Sequence, residues 1–173
     1  MKLFDFNKMI DDPKLLENKI RTYQRKNILV MQPEDKALIK GHQAKAEHNL
    51  RFIKDNLKLG YHDWCVVGCY YAAYQAAMAL LSKKGYRTKS HDATLCVLIK
   101  EYHNQGIDAE DIALINSLFF DYHDLLFYVQ SKLKREEATY STRYVFDKSL
   151  VEQLRIKSIM FVNKAKQILE SQN

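Results

Sequence analysis

The chain has 173 residues, a hydrophobic content of 47% and a charged content of 28%, which together favour one globular domain with a real hydrophobic core. Only five glycines and two prolines occur, so long helices are allowed and a turn-rich β architecture is disfavoured. The formal net charge of +6 favours an anionic partner such as nucleic acid.

Cysteine usage and missing motifs narrow the class of protein further. The three cysteines, Cys65, Cys69 and Cys96, form an odd set inside apolar helical text, which is typical of free buried thiols in a reducing compartment. The N-terminus has no uninterrupted apolar core, so we expect no secretory signal and a cytoplasmic protein. Because Gly-rich phosphate loops and paired-histidine motifs are missing from the sequence, we expect no cofactor and no metal site.

Residues 1–35 are predicted to form a short helical extension. Asp12 before Pro13 is a good helix start, with an aspartate cap and a proline in the first turn. The apolar run from Ile28 to Met31 has no second strand-like segment to pair with, so we interpret it as a docking segment.

Residues 36–173 are predicted to form an all-α, up-and-down bundle of about five main helices. A long helix pattern starts near Glu34 and ends at Gly60, which suits a left-handed cap. The later helices are predicted to start at Asp63, Ser90, Asp108 and Asp147.

The helix predicted from Asp63 to Lys83 is the centre of the bundle. One apolar stripe has helical spacing: Trp64, Val67, Tyr71, Tyr74, Met78 and Leu81. A second runs beside it: Val66, Tyr70, Ala73, Ala77 and Leu80. A helix that is apolar nearly all round belongs in the middle of a bundle. Its tyrosines, its cysteines and Gln75 make poor lipid-facing surface, so we expect no membrane span.

The central helix also carries a family resemblance. Asp63, Trp64, the run from Tyr70 to Leu81, Gly85 and the pair Ser90-His91 resemble the signature of the HEPN domain superfamily. The likeness extends from about Ala37 to the C-terminus. It implies a helical bundle that acts as a homodimer, associates with RNA or a nucleotide, and pairs with a minimal nucleotidyltransferase in toxin-antitoxin-type systems.

A polar segment between Leu133 and Asp147 is the first candidate site, because the apolar period vanishes there and long ordered loops tend to be functional. HEPN ribonucleases have an arginine that holds phosphate and, four to six residues later, a histidine that moves protons. The resemblance places Arg135 at the arginine position, but Tyr140 stands where the histidine is expected. A tyrosine with a pKa near 10 is a poor base at pH 7. Without catalysis, Arg135, Tyr140 and Tyr144 are expected to contact RNA or a nucleotide, by phosphate contact and base stacking. The structural alternative is that Arg135 pairs with Glu136 or Glu137 on a solvated face.

The turn after the central helix is the second candidate site. Lys83, Lys84, Arg87 and Lys89 precede the helix that starts at Ser90, so four cations are expected to converge on a helix N-terminus as an anion site. The structural alternative is that Ser90 is simply a cap and that His91 belongs to the first turn.

Three functions follow from these observations. The first is an RNA- or nucleotide-associated binding module. The second is a metal-independent endoribonuclease in which Arg135 holds phosphate. Its acid or base is Tyr140, or else His91 from the start of another helix. The third is a non-catalytic protein-interaction module that binds a partner through its apolar helix faces.

Overall fold

The computed structural model describes residues 4–119, 122 and 147–172, and they form an all-α bundle with one small sheet. The elements in chain order are α1 (Phe6–Asp11), α2 (Pro13–Arg25), β1 (Leu29–Met31), α3 (Lys36–Lys58), α4 (His62–Lys83), β2 (Tyr86–Thr88), α5 (His91–Tyr102), α6 (from residue 109, described to 119 and at 122) and α7 (Lys148–Ser171). The predicted fold class is therefore confirmed.

Helix α4 is the core of the bundle, and α3 and α7 pack against it. Small side chains of the three helices meet: Ala46 on α3, Ala76 and Ala79 on α4, and Ala165 on α7 line one narrow hollow with Val162. Alanines let helix backbones come close together. In the part of the chain that is described, α4 is the one helix long and apolar enough to cross a membrane, and 78% of that stretch is buried inside the protein, as in a core helix.

The burial of α4 corrects one prediction about its faces. Every residue of the second stripe is buried, including Val66 and Leu80, neither of which has any exposed area. In the first stripe, by contrast, Trp64 is 58% exposed, and Tyr71 and Tyr74 are half-buried. When a helix is apolar on all sides, its sequence has no apolar–polar periodicity, so the most deeply buried face cannot be predicted from it.

The helix ends follow local chemistry closely, with one correction. Asp12 Oδ1 accepts hydrogen bonds from the N–H groups of the first turn of α2, and Ser90 Oγ accepts one from α5, as predicted. Gly60 adopts a positive φ of 79° between α3 and α4, so the left-handed turn is confirmed. The N-cap of α4 is Tyr61, however, and Asp63 lies inside the first turn, where a carboxylate still interacts favourably with the helix dipole.

The interpretation of Ile28 to Met31 as an unpaired docking segment was wrong. Strand β1 pairs antiparallel with β2, with Leu29 opposite Thr88 and Met31 opposite Tyr86. A strand of three residues is too short to show the alternation of apolar and polar residues by which strands are predicted. The two strands are also far apart in the chain, so neither indicates the other. The N-terminal segment is tied to the bundle in a second place, because the Asn116 amide donates to the carbonyl oxygen of Phe4 at 2.9 Å.

Candidate functional site

A groove opens where the start of α3 faces the second half of α4. We call it the α3–α4 groove. Its volume is about 990 Å³, which is at the upper end for small-molecule sites. It is lined by the segment from Gln32 to Leu38 and by His42, by Tyr74, Met78 and Ser82 of α4, and by residues 87–89.

Gly85 brings the two sides of the groove together. It has a φ of +73°, a conformation that glycine adopts without strain. Its carbonyl oxygen accepts a hydrogen bond of 2.8 Å from the backbone N–H of Gln32. An added Cβ at Gly85 would stand 2.5 Å from the carbonyl oxygen of Gln32. The close approach therefore requires glycine, and it fixes the start of α3 beside the end of α4.

The hydrogen bonds of Thr88 fix the backbone so that the side chains on either side of it, Arg87 and Lys89, point to solvent. Its hydroxyl donates to the carbonyl oxygen of Ile28 at 2.8 Å and accepts from the N–H of Ser90 at 3.0 Å. Thr88 is thereby buried, while Arg87 and Lys89 are exposed. Residues 87–89, which we call the cationic ridge, line the α3–α4 groove on one side and a second groove of about 550 Å³ on the other.

The four predicted cations do not converge. Arg87 and Lys89 lie together on the ridge, but the Lys83 ammonium is 3.1 Å from Glu34 Oε1 and only 13% of its side chain is exposed. The Lys84 ammonium lies over the ring of Tyr102, 5.6 Å from its centre. Consecutive residues at the end of a helix point in different directions, so Lys83 and Lys84 separate.

The predicted base His91 is packed inside an aromatic cluster. It begins α5, is 6% exposed, and its ring stacks on Phe119 with 3.8 Å between centres and 4° between planes. This geometry gives His91 a packing role and little solvent access. Its catalytic role stays a prediction, as do the roles of Arg135, Tyr140 and Tyr144, which lie outside the described residues.

Tyrosines of α4 continue this cluster. Tyr70 stacks on Tyr122 of α6 at 4.6 Å, and the hydroxyls of Tyr71 and Tyr122 are 2.8 Å apart. Burial, followed by the neighbouring tyrosines, raises the pKa of Tyr70, and burial raises the pKa of Tyr74 even though a hydrogen bond with Thr94 lowers it in part. Tyr70 and Tyr74 are therefore neutral groups at pH 7.

His42 is the functional candidate that sequence reasoning missed. Its Nδ1 lies 2.7 Å from Oε1 of Gln75, and its ring lines the groove. An amide oxygen only accepts hydrogen bonds, so Nδ1 carries the proton and Nε2 is the ring nitrogen left for a ligand. The one signal in the sequence was Gln75, the strongly polar side chain inside an otherwise apolar helix.

The cysteines are buried, as predicted. Cys65, Cys69 and Cys96 are free and have no exposed area, and burial raises the pKa of Cys69 and of Cys96 to about 12. Among the described residues, no group of three or more His, Cys, Asp and Glu side chains could hold a metal ion.

Comparison with known proteins identifies the family. The chain is 27% identical over 122 residues to a UPF0332 protein of Archaeoglobus fulgidus, an alignment that covers 70% of this chain and 87% of that protein. A family model of the HEPN domain matches residues 40–170, which is most of the chain and includes α4, the cationic ridge and the α3–α4 groove from His42 onward. This chain therefore belongs to the HEPN domain family.

Proposed function

We propose that this HEPN-type chain is an RNA-associated binding module and that the cationic ridge is its contact surface. The observation that carries the proposal is the position of Arg87 and Lys89, two exposed cations on one side of an extended segment between two grooves. Side chains two residues apart on an extended chain point the same way and start about 7 Å apart. Such a pair suits successive backbone phosphates of a single strand.

One of the two carboxylates that line the groove beside the ridge is already neutralised by a lysine. In the described part of the chain, neither Arg87 nor Lys89 forms an ion pair, whereas Glu34 pairs with Lys83. Arginine can contact phosphate through two N–H groups at once and can also stack on a base. These properties, together with the net charge of +6, favour RNA over an uncharged ligand.

The test compares two double variants that remove the same charge. Arg87→Ala with Lys89→Ala should weaken the binding of a fluorescent single-stranded RNA by about tenfold or more, because each contact to phosphate is charge-assisted. The slope of log affinity against log salt should fall in magnitude by about 1.4, or 0.7 for each lost phosphate contact. The matched control is Lys54→Ala with Lys157→Ala, on exposed positions of α3 and α7 outside both grooves.

Equal losses in the two double variants would mean that only net charge matters, and the ridge would be rejected as the site. The same assay in chelator separates binding from cleavage. We expect binding without cleavage, since Tyr140 replaces the histidine of the ribonuclease pattern. Cleavage in chelator that disappears with Arg135→Ala would instead favour the endoribonuclease.

We propose further that the module works in the cytoplasm as a homodimer and pairs with a minimal nucleotidyltransferase, as the family resemblance implies. An apolar patch at the turn from α3 to α4 supports a protein interface: Leu59 is 69% exposed, Tyr61 56% and Trp64 58%. Light scattering should give about twice the chain mass of 20.4 kDa. A clean monomer at high concentration would refute the homodimer, and mass spectrometry of complexes purified from the native host tests the nucleotidyltransferase.

A further inference from the structure

The α3–α4 groove holds more positive charge than the ridge alone. Lys36 at the start of α3 lines the same groove as Arg87 and Lys89, and in the described part of the chain none of the three forms an ion pair. We propose that this groove binds the phosphorylated end of an RNA strand, a terminal nucleotide with a phosphomonoester. The inference rests on the proposed function and names the part of the RNA that the groove selects.

The two carboxylates at the rim are already engaged by the protein. Glu34 accepts a hydrogen bond of 3.1 Å from the Lys83 ammonium. Asp35 Oδ1 accepts from the N–H groups of Ala37 and Leu38, at 2.9 and 3.0 Å, as the cap of α3. Each carboxylate thus has its own donors, and neither needs the three cations. Glu34 is neutralised by Lys83, whereas Asp35 keeps its charge because its donors are neutral N–H groups; three cations against one remaining carboxylate leave the groove with a net positive charge.

This charge fits a phosphomonoester better than an internal phosphate. A phosphomonoester carries a charge of about −1.5 to −2 at pH 7 and has three acceptor oxygens, while each phosphate inside a strand carries one negative charge. Three cations that line one groove can contact the oxygens of a terminal phosphate together. One linear ridge suits a continuous backbone.

The rest of the groove suits the nucleoside that carries the phosphate. Tyr74, Met78 and Leu38 provide an apolar and aromatic wall, on which a base can stack. The Nδ1 bond to Gln75 orients His42, whose unprotonated Nε2 can accept a hydrogen bond from a ribose hydroxyl. The volume of about 990 Å³ leaves room for such a unit.

The experiment measures the affinity of the full chain for three RNA decamers of one sequence that carry a 5′-phosphate, a 3′-phosphate or no terminal phosphate. Adenosine 5′-monophosphate as a competitor distinguishes a strand end from a free nucleotide. We expect one phosphorylated decamer to bind about tenfold more tightly than the unphosphorylated one. Lys36→Ala and His42→Ala should each reduce this ratio, whereas Lys40→Ala, one turn further along α3 and outside this groove, should leave it unchanged.

The outcomes separate this inference from the proposed function. Equal affinity for the three decamers would overturn end recognition while leaving RNA binding at the ridge intact. Binding of adenosine 5′-monophosphate that depends on Lys36, with no binding of any decamer, would refute the RNA module and assign the groove to a free nucleotide. If neither the decamers nor the nucleotide bind, both proposals fail.

Discussion

The Nδ1 of His42 lies 2.7 Å from the Oε1 of Gln75, and this bond joins α3 to α4 at the wall of the α3–α4 groove. Gln75 stands in a helix that is otherwise apolar for most of its length. A polar group at such a position costs free energy unless it has a hydrogen-bond partner. The pair therefore satisfies a polar requirement of the core and at the same time orients a side chain that a ligand can reach.

Gln75→Leu should lower the free energy of unfolding by about 1 kcal/mol, because the partly buried N–H of His42 loses its acceptor. Urea unfolding measures the change. Gln153→Leu, at an exposed position on α7, is the control and should change stability by less than about 0.5 kcal/mol. Equal effects in the two variants would show that the bond to His42 contributes nothing to stability.

Truncation of the two apolar stripes of α4 should have unequal effects. Leu80→Ala should lower the free energy of unfolding by about 2 to 5 kcal/mol, since Leu80 has no exposed area and its removal leaves a cavity. Trp64→Ala should cost much less, because 58% of Trp64 is already exposed. Urea unfolding at low protein concentration compares the two. A larger loss for Trp64 would place the core on the other face of α4.

Features that depend on contacts within one turn of a helix could be predicted from the sequence. Features that depend on contacts between distant segments could not. Asp12 and Ser90 cap their helices through N–H groups two or three residues away, so residue type alone identifies them. The fold class followed from long apolar periods and from the resemblance in α4. The predicted N-cap of α4, Asp63, lies two residues after the observed one, Tyr61, which is an ordinary error for a helix start.

The pairing of β1 with β2 and the groove depend on contacts between segments far apart in the chain. Leu29 meets Thr88, and His42 meets Gln75 across 33 residues. No local pattern encodes either contact, which is why the strand was predicted to be a docking segment and His42 was not among the predicted site residues. Lys83 and Lys84 were predicted to share an anion site with Arg87 only because the three residues are close in sequence.

The ion pair that holds α7 to the start of α6 should make stability depend on acid pH. Lys164 Nζ lies 2.9 Å from Asp108 Oδ2 and 2.5 Å from Asp111 Oδ2. The hydrogen bond from Lys164, followed by the bond from the Asp111 N–H, lowers the pKa of Asp108 below its usual 3.8. A carboxyl with a lowered folded pKa stabilises the fold above its unfolded pKa and loses that contribution as pH falls through the folded value.

Lys164→Met should therefore lower the free energy of unfolding at pH 6 by about 1 to 3 kcal/mol. Solvent screens the pair with Asp108, which is 60% exposed, but Asp111, whose side chain is only 12% exposed, also loses its donor. The difference from the wild type should shrink as pH falls below about 4. Urea unfolding at pH 6 and pH 2.5 measures both values. Lys157→Met, which removes an exposed lysine of the same helix, should show no such convergence. A difference that stays constant with pH would mean that Lys164 stabilises the fold by packing alone.

The packing of α3 on α4 predicts opposite results for one substitution at two glycines. A Cβ at Gly68 would stand 2.6 Å from Ile53 Cγ1 and 3.2 Å from Phe52 Cδ1, whereas a Cβ at Gly41 would have no atom within 4 Å. Alanine in a helix interior gains about 1 kcal/mol over glycine, so Gly41→Ala should raise the free energy of unfolding by up to that amount. Gly68→Ala has the same gain, but it must displace Ile53, which has no exposed area, and overpacking of this kind costs about 1 to 3 kcal/mol. Its net effect should be destabilising. Urea unfolding of both variants gives the two signs, and stabilisation by Gly68→Ala would mean that the two helices stand further apart than this structure places them.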